Sequence, residues 1–282
     1  MSNRESIPPT LPELLRRHDR DRFLATLCAP AARQPALWAL LGFNYEIARV
    51  REMVSQPILG QIRLQWWRDA LDEIYAGKPV RRHEVATPLA QAIRDYGVTR
   101  AHLDTMIDAR ERDLAGEPPA TLGDLERWLD DTSSRLLQAQ IEVLAGTDGG
   151  EAARRIGLAW GLVGTIRAVP FQAAAKIIHI PAEIAQAADL HERDLFALRP
   201  SAPLAAALEM LAAAAQAHLA AARTLRPTVP AQALPALLIA RLAGRYLRVL
   251  ALAGYDPYAA IVQQPDPLAA WRVGWGRLIG RY

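Results

Sequence analysis

Cysteine and lysine are both scarce in this chain of 282 residues. Cys28 is the only cysteine, so the chain cannot form an internal disulfide, as is usual for proteins of a reducing compartment. Lys78 and Lys176 are the only lysines, and arginine supplies the other basic charges. The formal net charge of +3 does not predict nucleic-acid binding, although it permits weak attraction to anionic lipid or phosphate.

Long uninterrupted apolar runs are also missing. The most apolar stretches, 203–222 and 231–244, are broken by polar side chains such as Glu209 and Arg241, and neither approaches the ~20 uninterrupted apolar residues of a membrane span. The N-terminal segment has no apolar core of signal-peptide length. The sequence therefore predicts a cytoplasmic protein without a transmembrane segment. Peripheral contact with the inner face of a membrane stays open.

Patterns typical of metal and nucleophile sites are absent from the sequence. The six histidines are scattered, and no two have zinc-ligand spacing together with a carboxylate partner. Ser133 and Ser134 are adjacent within a helical pattern, without the sharp turn that exposes a nucleophilic serine. We therefore predict no metal site, no cofactor and no catalytic residue.

Apolar residues recur at helical spacing along most of the chain. In 59–75, for example, Ile62, Trp66 and Leu71 lie on one apolar stripe with charged residues around it. Glycine and proline turns separate the periodic segments, and no linker is long enough to divide two domains. The sequence predicts one all-α domain over residues 1–282, with helices over 12–27, 34–54, 59–75, 100–114, 122–144, 151–169, 204–225 and 234–253.

Two separated blocks of sequence carry a family resemblance. The first contains Arg22-Phe23-Leu24, then 43–55 and 63–68, and the second runs from 157 to 181 without a gap. In residue order and internal spacing, both blocks resemble the squalene/phytoene synthase family. The resemblance implies an isoprenoid-synthase-type helical bundle, with a central cavity between the helices of 43–55 and 157–169.

Active members of that family carry two aspartates, four residues apart, in each block, and these hold Mg²⁺ against a diphosphate. Aligned to the family pattern, the four positions are occupied here by Arg51, Ser55, Ala168 and Gln172. Mg²⁺ requires hard oxygen ligands, and none of these side chains is a carboxylate. A positive charge at 51 would also oppose a cation, since two like charges ~4 Å apart repel by about 4 kcal/mol at an effective dielectric of ~20. The resemblance thus implies a relict diphosphate pocket in a pseudoenzyme.

One branch of the family is especially similar. The run 46–52 and the pair Trp66-Trp67 resemble the branch that contains a mitochondrial complex I assembly factor and its bacterial homologues, which lacks the aspartates. This resemblance implies a role in the assembly of respiratory complex I, with a complex I subunit or an assembly intermediate as partner. Two alternatives stay open: an active prenyl-diphosphate transferase, and a lipid- or quinone-binding carrier.

Two groups of side chains are candidates for binding an isoprenoid or lipid ligand. Arginine binds phosphate without metal, so basic residues in or near the two blocks are candidates for an anion site: Arg49, Arg51, Arg167 and Lys176. Aromatic residues are candidates for lining the cavity: Phe43, Trp66 and Trp67. Pairing with Glu46 and Glu52, and ordinary core packing, are the competing interpretations. Pro170 predicts that its helix kinks or ends near Val169.

Overall fold

The computed structural model describes residues 10–54 and 56–282, and within them it contains helices and no strand. The first half of the chain forms Leu11–His18 (α1), Arg20–Thr26 (α2), Gln34–Ala48 (α3), Val50–Met53 (α4), Pro57–Tyr75 (α5), Ala86–Tyr96 (α6), Arg100–Asp113 (α7), Leu122–Leu129 (α8) and Arg135–Ala145 (α9). The second half forms Gly150–Ala174 (α10), Ala182–Ala187 (α11), Glu192–Phe196 (α12), Ala202–Thr224 (α13), Leu234–Leu237 (α14), Ile239–Leu252 (α15), Ala260–Gln263 (α16) and Ala269–Leu278 (α17). The all-α prediction is confirmed.

Local sequence sets several of the helix ends. Thr121 caps α8: its hydroxyl accepts from the backbone N–H of Asp124, while the Asp124 carboxylate accepts from the N–H of Thr121. Gly97 and Gly146 end α6 and α9 in the left-handed conformation, with φ of 65° and 70°, which a residue without Cβ adopts at little cost.

The predicted helix over 34–54 is wrong at its C-terminal end. The helix is interrupted at Arg49, resumes as α4 and ends at Met53, after which Val54 is extended. Gln56 is also extended, because it precedes Pro57, the first residue of α5. Arg51 therefore lies on a short helix that ends at Met53. Ser55 itself lies outside the described residues.

Helices α8 and α9 are joined by a π-helical turn, Asp130–Ser134, within the predicted helix 122–144. This turn packs directly against α10. A Cβ added to Gly157 would lie less than 3.0 Å from Ser134 Cα, a backbone atom that cannot rotate aside. Glycine at 157 therefore allows the backbones of α10 and the π turn to approach this closely.

Helix α10 runs through the centre of the bundle and packs against α9, α13 and α15. It continues through Pro170 to Ala174, so it does not end near Val169, and a kink at that point stays a prediction. Within the described residues, only α13 is long and apolar enough to cross a membrane by length and composition. Its packing along α10, with Leu208 and Leu211 fully buried, favours a core helix.

Candidate functional site

A cavity of about 240 Å³ lies between α3 and α10, the helices of the two sequence blocks. Asn44 of α3 lines it on one side, and Ala168 and Gln172 of α10 line it on the other. Two of the four relict positions are therefore cavity residues. Further polar lining comes from the N-terminal helices, from α7 and from the π turn: Arg22, Arg110, Thr132 and Ser133.

The two charged side chains of the cavity are arginines, and each pairs with an aspartate three residues away. Arg22 lies 3.1 Å from Asp19, and Arg110 lies 3.3 Å from Asp113. The guanidinium of Arg110 also lies over the ring of Trp128, 5.1 Å from its centroid. Both ion pairs are mostly buried, so the positive charge of the cavity is largely compensated by its own helices.

Arg110 and Asp113 lie in a run of alternating charges, 108–113, which is a pattern typical of a solvated helix face. Both side chains are nevertheless mostly buried. Burial lowers the pKa of Arg110. Burial also raises the pKa of Asp113, and the charges of Arg110 and then Arg51 oppose that rise. Trp128, which packs on Arg110, belongs to a different helix, so the charge pattern of 108–113 holds no signal that could have found the pair.

His179 lies behind the cavity wall. Its ring stacks on Trp128 with 5.2 Å between centroids and 18° between planes. Burial, followed by the charges of Arg51 and Arg110, lowers the pKa of His179 to about 4. Its Nδ1 atom is buried without a hydrogen-bond partner among the described residues. A neutral imidazole is therefore held against the aromatic wall.

The basic residues proposed for anion binding do not converge. Arg49 is held on its own helix, where its Nη1 atom lies 3.7 Å from Glu46 and 3.1 Å from the Tyr45 hydroxyl. Lys176 is exposed in the turn after α10. Arg51 lies on α4, outside the cavity lining but close enough for its charge to act on His179. Only Arg51 of the four therefore stays near the relict pocket.

Arg167 lies on a different face of α10 from the neighbouring Ala168, because successive helical residues differ by about 100°. It packs over the ring of Tyr246 at 4.0 Å and lies 4.0 Å from Asp21. The Tyr246 hydroxyl donates to Asp21 Oδ2 at 2.6 Å. Burial raises the pKa of Asp21, and it raises the pKa of Tyr246 to about 12.

The Tyr246–Asp21 hydrogen bond gives a testable effect on stability. We expect Tyr246→Phe to lower the free energy of unfolding at pH 7 by about 2 kcal/mol, since a buried carboxylate loses its donor. A protonated Asp21 carboxyl no longer requires that donor. The loss of stability caused by Tyr246→Phe should therefore shrink as the pH falls through the raised pKa of Asp21. Urea unfolding at pH 7 and near pH 4 measures both effects.

Tyr96→Phe is the matched control, because it removes a hydroxyl that donates to the uncharged carbonyl of Ala32 at the surface. We expect it to cost less than about 1 kcal/mol, independently of pH. A Tyr246→Phe penalty that stayed constant from pH 7 to pH 4 would contradict the assignment of the effect to a charged Asp21.

The three aromatic residues proposed as cavity lining form a separate cluster between α3 and α5. Phe43 and Trp67 pack edge to face at 5.2 Å, and Trp66 packs against Trp67 at 4.9 Å. Phe43 is fully buried, and none of the three is among the residues that line the 240 Å³ cavity. This placement favours core packing over ligand contact.

The cavity lining does not fit Mg²⁺. No carboxylate lines it among the described residues, and two guanidiniums do. Elsewhere in 10–54 and 56–282, no group of three or more His, Cys, Asp or Glu side chains could hold a metal ion. The volume of the cavity also lies below the ~300–1,000 Å³ typical of sites for drug-sized ligands. The cavity has room for water or for one small ligand.

Comparison of the sequence with known proteins gives matches that span most of the chain. The profile of the family described as squalene/phytoene synthase matches residues 15–278. A Mus musculus protein named NADH dehydrogenase (ubiquinone) complex I, assembly factor 6, is 30% identical over 268 residues. That match covers 93% of this chain and 80% of the mouse protein.

Solved structures agree with the architecture. A dehydrosqualene synthase matches with a TM-score of 0.84 and 16% identity, covering 95% of this chain and 94% of that one. A squalene synthase from Alicyclobacillus acidocaldarius matches with a TM-score of 0.76 and 17% identity, covering 88% and 94%. At these identities the likeness concerns the fold alone, and it confirms the predicted isoprenoid-synthase-type bundle.

Proposed function

Because this chain belongs to the squalene/phytoene synthase family, and because its described cavity residues offer no carboxylate to a metal, we propose that it is a non-catalytic member that assists the assembly of respiratory complex I. Its relatives named as complex I assembly factors support the positive half of this proposal. The cavity supports the negative half. A complex I subunit or assembly intermediate is the proposed partner.

Charge carries the argument against synthase chemistry. The reaction of the family must stabilise a departing diphosphate, and the two sequence blocks place Arg51, Ser55, Ala168 and Gln172 where the aspartates would hold Mg²⁺. Ala168 and Gln172 lie on the cavity wall, and neither is an anionic metal ligand. The arginines of the cavity do not replace the metal, since Arg22 and Arg110 are already paired with aspartates.

Space supports the same conclusion. A head-to-head synthase must hold two prenyl diphosphates side by side, whereas this cavity of about 240 Å³ is smaller than the usual site for one drug-sized molecule. Trp128 and Trp160 occupy its walls as bulky rings. A single short isoprenoid or lipid tail is the largest guest consistent with this volume, and we retain such a ligand as a second candidate for the role of the cavity.

An enzymatic assay tests the negative half. We expect the purified protein, given farnesyl or geranylgeranyl diphosphate with Mg²⁺, to release no diphosphate above a reaction without enzyme. The physical reason is that no described side chain in the cavity can hold the metal. A dehydrosqualene synthase assayed in parallel provides the positive control. Robust Mg²⁺-dependent turnover by this chain would establish it as a transferase instead.

A cellular assay tests the positive half. Deletion of the gene in its native cell should lower NADH:quinone oxidoreductase activity and the amount of assembled complex I. Succinate:quinone oxidoreductase activity in the same membranes serves as the control and should not change. Unchanged complex I in the deleted strain would refute the proposal.

Complementation of the deleted strain separates the two candidate roles of the cavity. Ala168→Leu should fill part of the cavity without adding charge. Restoration of complex I by this variant indicates that protein contact is sufficient, whereas failure of the folded variant indicates that the cavity must hold a ligand.

A further inference from the structure

A second groove lies far along the chain from the relict pocket, between α13, α15 and the C-terminal residues. Its volume is about 630 Å³, more than twice that of the central cavity. Leu219, Ala240 and Leu247 form a buried apolar floor. Five arginines surround this floor: Arg223, Arg226, Arg241, Arg248 and Arg272. We refer to this feature as the arginine groove.

The positive charge of the arginine groove is poorly compensated. Arg272 pairs with Asp266 at 2.7 Å, and it is the only one of the five with an ion pair to a side-chain carboxylate in the described part of the chain. Arg226 donates to a carboxyl oxygen of Tyr282, the last residue of the sequence, which offsets part of the charge, and Arg241 donates to the main-chain oxygen of Arg281. No acidic side chain is among the described residues that line the groove.

Two of these guanidiniums have unused donors. The Nε atoms of Arg226 and Arg241 are buried, and neither has a hydrogen-bond partner among the described residues. Burial lowers the pKa of Arg241, and the charges of Arg226, Arg272 and Arg248 lower it further. Like charges held together beside an apolar floor favour an anion, and guanidinium groups match phosphate oxygens in geometry and charge.

The outer face of α17 adds an apolar surface next to this groove. Trp271, Trp275 and Leu278 follow one another at helical spacing, and their exposed fractions are 61%, 44% and 76%. The opposite face packs into the protein through Ala269 and Val273. We refer to the exposed side as the tryptophan face. Contiguous exposed apolar side chains of this kind indicate an interaction surface.

The tryptophan face borders the arginine groove, because Arg272, which lines the groove, lies about 100° around α17 from Trp271. Tryptophan is favoured where one part of a ring is in lipid and another is in water. A helix that combines such rings with adjacent arginines has the composition of an interfacial membrane helix. The positive charge of the groove and the exposed apolar surface of α17 therefore both indicate a lipid membrane surface as the binding partner.

We propose that the arginine groove binds the phosphate of an anionic phospholipid in a membrane surface, while the tryptophan face of α17 lies in the lipid interface. The groove supplies donors to the phosphate, and its apolar floor contacts the adjoining part of the lipid. This site is separate from the relict pocket and does not depend on a role in complex I assembly.

Vesicle sedimentation with purified protein tests the proposal. We expect binding to phosphatidylcholine vesicles that contain roughly a third phosphatidylglycerol, little binding to pure phosphatidylcholine, and weakening as salt is raised. Arg223→Glu combined with Arg248→Glu should weaken binding by about tenfold or more, since each exposed arginine near an anionic surface contributes several-fold. Equal binding to both kinds of vesicle would overturn the assignment.

Arg63→Glu combined with Arg82→Glu is the matched control, because it makes the same charge change at exposed arginines outside the groove. We expect it to alter binding less than about twofold. Trp271→Ser combined with Trp275→Ser should weaken vesicle binding without changing the net charge. Equal losses in the groove variant and in its control would show that only overall charge matters, and would overturn the proposal.

Inorganic phosphate distinguishes a lipid headgroup from a soluble phosphate compound. Phosphate should raise the melting temperature of the wild-type protein and of the tryptophan variant, but not that of the groove variant. Such stabilisation without any vesicle binding would overturn the lipid assignment. Capture of an acidic protein segment by the groove, again without vesicle binding, would overturn it in favour of a protein partner.

Discussion

Replacing Gly157 with alanine should lower the free energy of unfolding by about 3 kcal/mol, the upper end of the usual range for overpacking. The added Cβ would meet the Cα and N atoms of Ser134 at less than 3.0 Å. These are backbone atoms of a packed π turn, so the clash cannot be relieved by rotating a side chain. Urea unfolding at pH 7 measures the change.

Gly164→Ala is the control on the same helix. No atom lies within 4 Å of a Cβ added at Gly164, so this change should only gain from the better helix propensity of alanine, by up to ~1 kcal/mol. The two variants are thus expected to shift stability in opposite directions. If Gly157→Ala were as stable as Gly164→Ala, the close approach between α10 and the π turn would be refuted.

Acid should destabilise the protein through His179. Burial, and after it the charges of Arg51 and Arg110, lower the pKa of His179 from 6.5 to about 4. The unfolded chain therefore takes up a proton at a higher pH than the folded one does. The stabilising contribution is complete above pH 6.5 and is lost as the pH falls towards 4, and the full loss is about 3 kcal/mol.

His179→Phe should abolish this loss while keeping a ring against Trp128. The difference in unfolding free energy between wild type and variant, followed by urea unfolding from pH 7 to pH 4, should therefore change by about 3 kcal/mol. Arg51→Gln serves as a graded comparison. This change removes a charge that lowers the pKa of His179 less than burial does, so it should reduce the acid sensitivity of the protein only in part. Parallel pH profiles for wild type and His179→Phe would rule out this account.

Much of the fold follows from local pattern, and its exceptions have identifiable causes. Helical periodicity predicted the long helices, including α5 and most of α10. It did not predict the break at Arg49 or the π turn at Asp130–Ser134, because both interrupt backbone geometry without interrupting the apolar repeat. Helix α17 was missed because its apolar residues include exposed tryptophans, so its periodicity does not match one buried face.

The candidate site was predictable in position but less so in composition. The two blocks indicated a cavity between α3 and α10, and the structure has a cavity there that Ala168 and Gln172 line. Which arginines face that cavity depends on packing between distant segments. Arg110 is buried by its contact with Trp128. Arg167 directly precedes Ala168, so it lies on another face of α10, where it contacts Tyr246. Neither contact can be predicted from residue spacing along the chain.

The close contact at Gly157 also bears on how such a chain changes over generations. Glycine at 157 is required for steric reasons, because any side chain there disturbs the bundle. This requirement persists whatever the protein does. Positions 168 and 172 line a cavity, where substitutions disturb the packing of the bundle less than at Gly157. Residues at those two positions can therefore change while the glycine is retained. The residues that set the distance between helices are therefore the ones from which the ancestry of such a protein stays recognisable.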